Sequence, residues 1–322
     1  MANQFPYTVK EKKMKKQILA SLIAATCLFS ANLMAANVTV QVHNEKNQII
    51  NLDVKQMPER VIALNFTSVD ILDKLGLGDR IVGMVKGNMV PEHLKKYADN
   101  PNIANVGGMK TVDMEKLMSL QPDLILSSDR TIKNYKKFSV VAPTVASYVN
   151  YKQGFLQGFK HNLDVHAKIF NKEAEAAKIY ADIESRVTSL QQKAKDKTAI
   201  LGLFTGGSLK VLGDKGRMAL ITNDIGFKNL AEGANINHGN NSSYELLVQK
   251  DPDFLFILDK DVAVGANAKS AKQLLDNALI KQMKAHQQNR IAFLEPGSTW
   301  YLADGGLTSM DLMLANIETA LN

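Results

Sequence analysis

Two stretches of the chain share one grammar, and they flank one long helical segment. The first is Val112-Asp113-Met114-Glu115-Lys116-Leu117-Met118-Ser119-Leu120-Gln121-Pro122-Asp123-Leu124-Ile125-Leu126. The second is Ser242-Ser243-Tyr244-Glu245-Leu246-Leu247-Val248-Gln249-Lys250-Asp251-Pro252-Asp253-Phe254-Leu255-Phe256. In each, a Glu begins a short amphipathic helix, and a Pro-Asp seven residues later stops it and opens an apolar strand. One such unit is ordinary α/β grammar; two at one spacing predict two related lobes. Between them, Asn171 to Lys197 reads as one helix. Ala176, Tyr180, Ile183, Val187, Leu190 and Ala194 recur every three or four residues and form a single apolar stripe. Asn171 is the expected N-cap, with Glu173 and Glu175 in the first turn. At 1.5 Å per residue, about 23 helical residues within it span roughly 35 Å, about the width of a small domain. The predicted fold is therefore α/β: two Rossmann-like lobes with central sheets, joined by a single long helix.

The expected organisation is a leader over residues 1–35, a first lobe over 36–170, the linking helix over 171–197 and a second lobe over 198–322. In the leader, a start at Met14 puts Lys15 and Lys16 ahead of an apolar run from Ile18 to Phe29. Leu33-Met34-Ala35 then supplies a small-residue cleavage site, so the segment reads as a secretory signal. Its apolar run is too short to span a bilayer comfortably. Cys27, the only cysteine, has Thr26 before it and Ala24 three before it, which does not match a lipidation site. The exported chain then has no cysteine to oxidise in a periplasm. Removing the leader's five lysines and one glutamate from the 39 basic and 32 acidic residues leaves 34 and 31, a net charge of +3 instead of +7. That balance does not indicate nucleic acid.

Asn37 to Val42 and Ile49 to Val54 alternate like a hairpin. Arg60 to Leu64, Arg80 to Val85, Leu124 to Ser127, Thr198 to Phe204, Leu209 to Leu212 and Ile291 to Leu294 read as strands. Helices over Val69 to Leu75, residues 218–225 and Leu307 to Leu321 alternate with them. Alternation of this kind implies parallel sheets, with ligands expected at the strands' carboxyl ends. Just past those ends sit Arg130 and Lys133 in the first half, and Arg217, His238, Lys260, Trp300 and Tyr301 in the second. Four are cations, suited to an anionic ligand across a cleft, and phenolate and imidazole can both coordinate iron. Read alone, Arg130 and Lys133 are equally loop charges, His238 a turn residue, and Trp300-Tyr301 a packing pair.

These motifs resemble the periplasmic receptors for ferric catecholate siderophores, the solute-binding proteins of iron ABC importers. The resemblance covers residues 37–322. VIALN and VDMEKLMSLQPDLIL mark the broad helix-linked class (class III), which includes cobalamin and haem receptors. SSDRTIK, GDKGRMALI, INHGNNSSYELL and EPGSTWYLADGG resemble the enterobactin-type members. The resemblance implies that Arg130, Lys133 and Arg217 surround catecholate oxygens. It implies that His238 and Tyr301 ligate iron when a tetradentate siderophore leaves positions open. Lys260 stands where an arginine is usual, and the spacing before Trp300-Tyr301 departs by about one residue. Trp300 is expected at the pocket mouth. Glu115 and Glu245 are implied as docking residues for a two-fold symmetric inner-membrane ABC permease. The expectation is a monomeric, non-enzymatic carrier with no resident cofactor, whose transported ligand is an Fe(III)-siderophore. The rival readings are a cobalamin or haem receptor of the same class and an enzyme. No Gly-x-Ser-x-Gly elbow, P-loop or zinc-protease helix is present, and the six histidines lack paired metal-ligand spacing.

Overall fold

The computed structural model describes residues 36–322 except 88, 215, 217, 232–239, 242–243 and 267–269. The leader, Arg217 and His238 lie outside the described residues.

Strands β1 (Asn37–His43) and β2 (Ile49–Lys55) form a separate antiparallel hairpin. The first lobe follows. Strands β3 (Val61–Ala63), β4 (Ile81–Met84), β5 (Ala104–Asn105), β6 (Leu124–Ser127) and β7 (Thr144–Ala146) pair in parallel, in the order β5-β4-β3-β6-β7. The order reverses beside β3, so loops leaving β3 and β6 part there and open a crevice at their carboxyl ends. Helix α1 (Phe66–Lys74) leaves β3, with Asn65 Oδ1 accepting the Ser68 N–H as N-cap. Helix α2 (Met114–Ser119) is the first repeat helix, N-capped by Asp113.

Helix α3 (Phe155–Ile169) was not evident in the sequence. It packs against the linking helix α4 (Glu173–Ala194). The stripe of α4 is placed as its spacing predicts: Ala176, Ile183, Val187, Leu190 and Ala194 are buried. Asn171 is not its N-cap. It takes φ +52° and ends α3, while the Lys172 N–H returns to Ala167 O at 2.8 Å. That is a six-residue C-terminal closure, in which Asn tolerates the left-handed position.

The second lobe contains β8 (Thr198–Thr205), β9 (Ser208–Leu212), β10 (Lys228–Asn229), β11 (Asn240–Asn241), β12 (Phe254–Asp259) and β13 (Ile291–Phe293). Its order is β11-β9-β8-β12-β13, with β10 beside β8. This sheet is mixed, not wholly parallel. Gly206 and Gly207, with φ +58° and +72°, turn the chain so that β9 returns antiparallel to β8. The second repeat helix, α5 (Tyr244–Lys250), leads to β12 as α2 leads to β6. Helix α6 (Gly297–Leu302) follows β13, and α7 (Leu307–Leu321) ends the chain over the predicted residues.

One apolar core runs through both lobes and joins Val61, Phe66, Ile183, Leu201 and Met310. Smaller cores cover the outer face of each sheet. Helix α7 packs on α4 and on α1, so the second half reaches back to the first lobe. Arg186 of α4 forks to Glu318 at 2.8 and 3.1 Å and reaches Asp311 at 3.2 Å, while Lys74 of α1 meets Asp311 at 3.0 Å. No helix among the described residues is long and apolar enough to cross a membrane.

Candidate functional site

A cleft between the lobes gathers residues from the carboxyl ends of the first-lobe strands and from the segment after β13. Asn65 and Thr67 follow β3, Ser128 to Arg130 follow β6, and Tyr148 and Tyr151 follow β7. Tyr301 and Asp304 face them from α6 and the turn beyond. The enclosed cavity is about 40 Å³. Pockets for drug-sized ligands run to about 300–1,000 Å³, so a bulky ligand must part these facing residues.

Arg130 is presented by a turn stapled from within. The Ser128 N–H donates to Thr131 Oγ1 at 3.0 Å, and the Thr131 N–H donates to Ser128 Oγ at 3.2 Å. Both residues are buried, so the turn is fixed while its tip points outward. The guanidinium then lies 5.5 Å from the centre of the Tyr301 ring, a cation–π contact between the two halves. Tyr301 is held by its neighbour. Trp300 is 1% exposed, and its indole N–H donates to Asn316 Oδ1 of α7 at 2.8 Å. The expectation of Trp300 at the mouth is therefore corrected: it is a core anchor that orients α6.

Asn65 leads from the cleft into a buried hydrogen-bonded chain. The Asn65 amide donates to Ser147 O at 2.6 Å. The Ser68 hydroxyl donates to Ser147 Oγ at 2.8 Å, and Ser147 Oγ lies 3.2 Å from His166 Nε2. Burial lowers the His166 pKa to about 4, against the hydrogen bond to Asn162 O, so the ring is neutral near pH 7. Its Nδ1–H then donates to Asn162 O at 2.7 Å, and Nε2 accepts from Ser147. Burial raises the Tyr148 phenol, and the Asp129 charge adds to this.

The opposite wall is clasped. Tyr151 donates its hydroxyl to Asp304 Oδ2, and Thr67 Oγ1 donates to Asp304 O at 3.1 Å. Gly305 has φ +89°, and a Cβ there would stand 2.4 Å from Val149 Cγ2. Only glycine lets the two halves approach so closely at that point.

The remaining sequence candidates are not gathered here. Lys133 is exposed in the 3-10 turn Ile132–Asn134. Lys260 opens the short helix after β12 and donates to Thr205 Oγ1 at 3.1 Å. Neither lines the cavity. Among the described residues the cavity's cation is Arg130, with Asp129 and Asp304 also in its wall. Glu115 and Glu245 are both exposed in the first turns of α2 and α5, and neither makes an ion pair among the described residues. Thr67, Tyr148, Tyr151 and Asp304 were missed as site residues. The available signals were two tyrosines just after the Val145-Ala146 run, and a Gly305-Gly306 pair beside Asp304. No group of three or more His, Cys, Asp or Glu side chains suited to a metal occurs among the described residues.

Two α/β lobes, a single connecting helix and a cleft at the strand ends define the class III solute-receptor architecture. The chain belongs to the periplasmic binding protein family, which matches residues 61–297. It is 32% identical to the petrobactin-binding protein YclQ of Bacillus subtilis over 287 residues, 88% of each chain. The crystal structure of that protein superposes with a TM-score of 0.81, covering 88% of this chain and 99% of the other. Identity to the ferric-anguibactin-binding protein FatB of Vibrio anguillarum is 30%, over 82% of this chain and 83% of that one. The siderophore-binding protein BauB, solved with two acinetobactin molecules and ferric iron, is 27% identical with a TM-score of 0.77, covering 88% and 99% of the two chains.

Proposed function

We propose that this protein captures a ferric siderophore with catecholate oxygens between its lobes and delivers it to an inner-membrane ABC importer. The observation that carries the reading is the Arg130 guanidinium of one half stacked on the Tyr301 ring of the other. A ferric tris-catecholate carries a charge of −3, and burying it unpaired is prohibitive. Arg130 supplies a forked, permanently charged donor at the cleft. Tyr301 supplies a hard phenolate oxygen within reach of the same space. Arg217, Lys133 and Lys260 are the further cations of this proposal, and His238 is the second iron ligand for tetradentate siderophores. The relatives bind petrobactin, ferric anguibactin and acinetobactin, which supports a ferric siderophore over cobalamin or haem. The family and the relatives are solute-binding proteins, which supports a carrier over an enzyme.

The leader reading supports export to a Gram-negative periplasm, with cleavage near Ala35. An N-terminal mass starting at a diacylated Cys27 would replace this by a lipid anchor. Glu115 and Glu245 are the proposed permease contacts, one exposed carboxylate per repeat.

Titration of the purified protein with ferric catecholate, ferric hydroxamate and cobalamin tests the reading. The Trp300 emission should quench by energy transfer to the catecholate charge-transfer band, with much weaker binding of the other two. Equal affinity for a neutral hydroxamate complex would remove the electrostatic case.

A further inference from the structure

The two halves exchange helix caps. Helices α3 and α7 each start on a glycine, Gly154 and Gly306, that offers no side chain to the first N–H groups. Those groups would be orphaned in a buried seam. Each is met by a carboxylate from across the chain. Asp70 of α1, fully buried, accepts the Thr308 N–H at 2.8 Å, the Ser309 N–H at 2.9 Å and the Ser309 hydroxyl at 2.6 Å. Asp224, at the end of the short helix Leu220–Asp224 in the second half, accepts the Leu156 N–H at 3.2 Å and also faces the Phe155 N–H. The first half caps a helix of the second, and the second caps a helix of the first. Both seams border the cleft: α3 continues from the Tyr151 turn, and α7 from Asp304.

The two caps are not equivalent. Asp70 has a side-chain partner, His93, with Nε2 3.0 Å from its Oδ2. Burial alone would raise its carboxyl; the hydrogen bonds from His93 and Ser309, the His93 charge and the Thr308 N–H hold it below the ordinary value. Asp224 has no such partner among the described residues, and its Oδ2 is buried without a hydrogen bond. Tyr180 of α4 is the titratable side chain that feels the Asp224 charge, and Glu184 of α4 and Asp164 of α3 act on that same phenol. Lys160 is committed to Asp164 at 2.6 Å and lies 5.3 Å from the centre of the Tyr180 ring. Gln191 of α4 donates to the Asp224 backbone carbonyl at 2.9 Å, not to its carboxylate.

We propose that Asp224 is a proton-responsive positioning residue: its protonation fastens the start of α3, and with it the Tyr151 wall of the cleft, to the second lobe. The unpartnered Oδ2 makes the charged form costly in the closed seam, while a parted seam hydrates it. Burial pushes the carboxyl up to about 6, against the two helix N–H groups. The closed seam therefore holds the proton more tightly than a parted one. Closure is favoured as pH falls through about 6 and released as pH rises above it. Taking 3.8 for a hydrated carboxyl, the closed-to-parted ratio changes by up to about tenfold between pH 7.5 and 5.

The test needs no ligand, so it stands apart from the siderophore reading. Spin labels on Val140→Cys and Lys250→Cys, in a Cys27→Ser background, report the inter-lobe distance by double electron–electron resonance. Val140 is 87% exposed and Lys250 is exposed, one in each lobe. The otherwise unaltered protein should give a broad distribution at pH 7.5 and a narrow one at pH 5. Asp224→Asn keeps the acceptor without the charge and should be narrow at both values. Asp224→Ala removes the cap and should be broad at both. A parent distribution that does not change with pH, or an Asp224→Asn variant that still does, overturns the proposal.

Discussion

Arg130 and Tyr301 meet because two unrelated local devices aim them at one point. The Ser128–Thr131 staple fixes the first, and the Trp300–Asn316 bond fixes the helix that carries the second. In the sequence both residues were visible only as strand-end candidates; nothing in their spacing says that they face each other across a cleft. Their stacking also separates two roles that the sequence left merged. Tyr301→Phe keeps the ring beneath Arg130 and removes only the oxygen. With a tetradentate ferric siderophore, the bound complex should lose its phenolate-to-iron absorption, while hexadentate affinity stays near the parent value. An unchanged spectrum would exclude ligation by Tyr301. Arg130→Ala should weaken a trianionic complex by about 1.5–3 kcal/mol, the range for hydrogen bonds to charged groups. Arg130→Lys should recover only part of this, because an ammonium neither forks nor stacks as a guanidinium does. Isothermal titration at fixed ionic strength measures both, and an Arg130→Ala affinity equal to the parent's would remove Arg130 from the site.

At the scale of elements, the repeat units were the most legible part of the chain. Pro122-Asp123 and Pro252-Asp253 stop α2 and α5 and open β6 and β12, as their chemistry requires. The Asp residues do more than punctuate. Asp123 Oδ1 accepts the Arg60 N–H at 2.8 Å and Asp253 Oδ2 accepts the Thr198 N–H at 2.9 Å, so each ties its strand to the first strand of its lobe. Two elements were read wrongly or not at all, for physical reasons. Asn171 suits both an N-cap and a left-handed C-terminal position, and only the neighbouring helix decides between them. That helix, α3, hides its period because its buried face includes Asn162 and His166 beside Phe155, Phe159 and Leu163. The antiparallel return of β9 was signalled by Gly206-Gly207, but strand alternation alone does not reveal it. The repeats also frame a prediction. Glu115 and Glu245 are exposed at equivalent first turns, where each stabilises its own helix by about 0.3–1 kcal/mol. If that is their whole role, Glu115→Ala/Glu245→Ala should leave iron uptake in step with the small stability loss. Under permease docking, the double variant should fold and bind ferric siderophore normally yet fail to support growth on it as sole iron source. Parent-like growth, with no other receptor present, rejects the docking role.

For the whole molecule, the lobes are not two beads on a rod. A single core passes from β3 through α4 to β8 and α7, and the Arg186 and Lys74 ion pairs lie along the same seam. Those pairs are partly exposed and contribute modestly, so the core, not the charges, holds the strut in place. The structure's response to acid then depends on what that core buries. His166 is fully buried and kept neutral, with a pKa lowered from 6.5 to about 4. In the unfolded chain the imidazole binds its proton near pH 6.5; in the folded protein it does not until about pH 4. The unfolded state therefore holds more protons in that window, and stability falls as pH drops from 6.5 to 4, by up to about 3 kcal/mol. Asp224 acts with the opposite sign, since its raised carboxyl gains protons on folding between about 6 and 3.8. A bare melting curve against pH would mix the two. The difference between the parent and His166→Gln does not, because Asp224 is common to both. Gln can give and accept a hydrogen bond but cannot titrate. The variant should be less stable at pH 7, where the imidazole fits the Ser147–Asn162 chain, and the gap should narrow steadily between pH 6.5 and 4. A gap that stays constant across that range would mean that His166 is not a buried neutral group, and that its surroundings are wetter than this geometry allows.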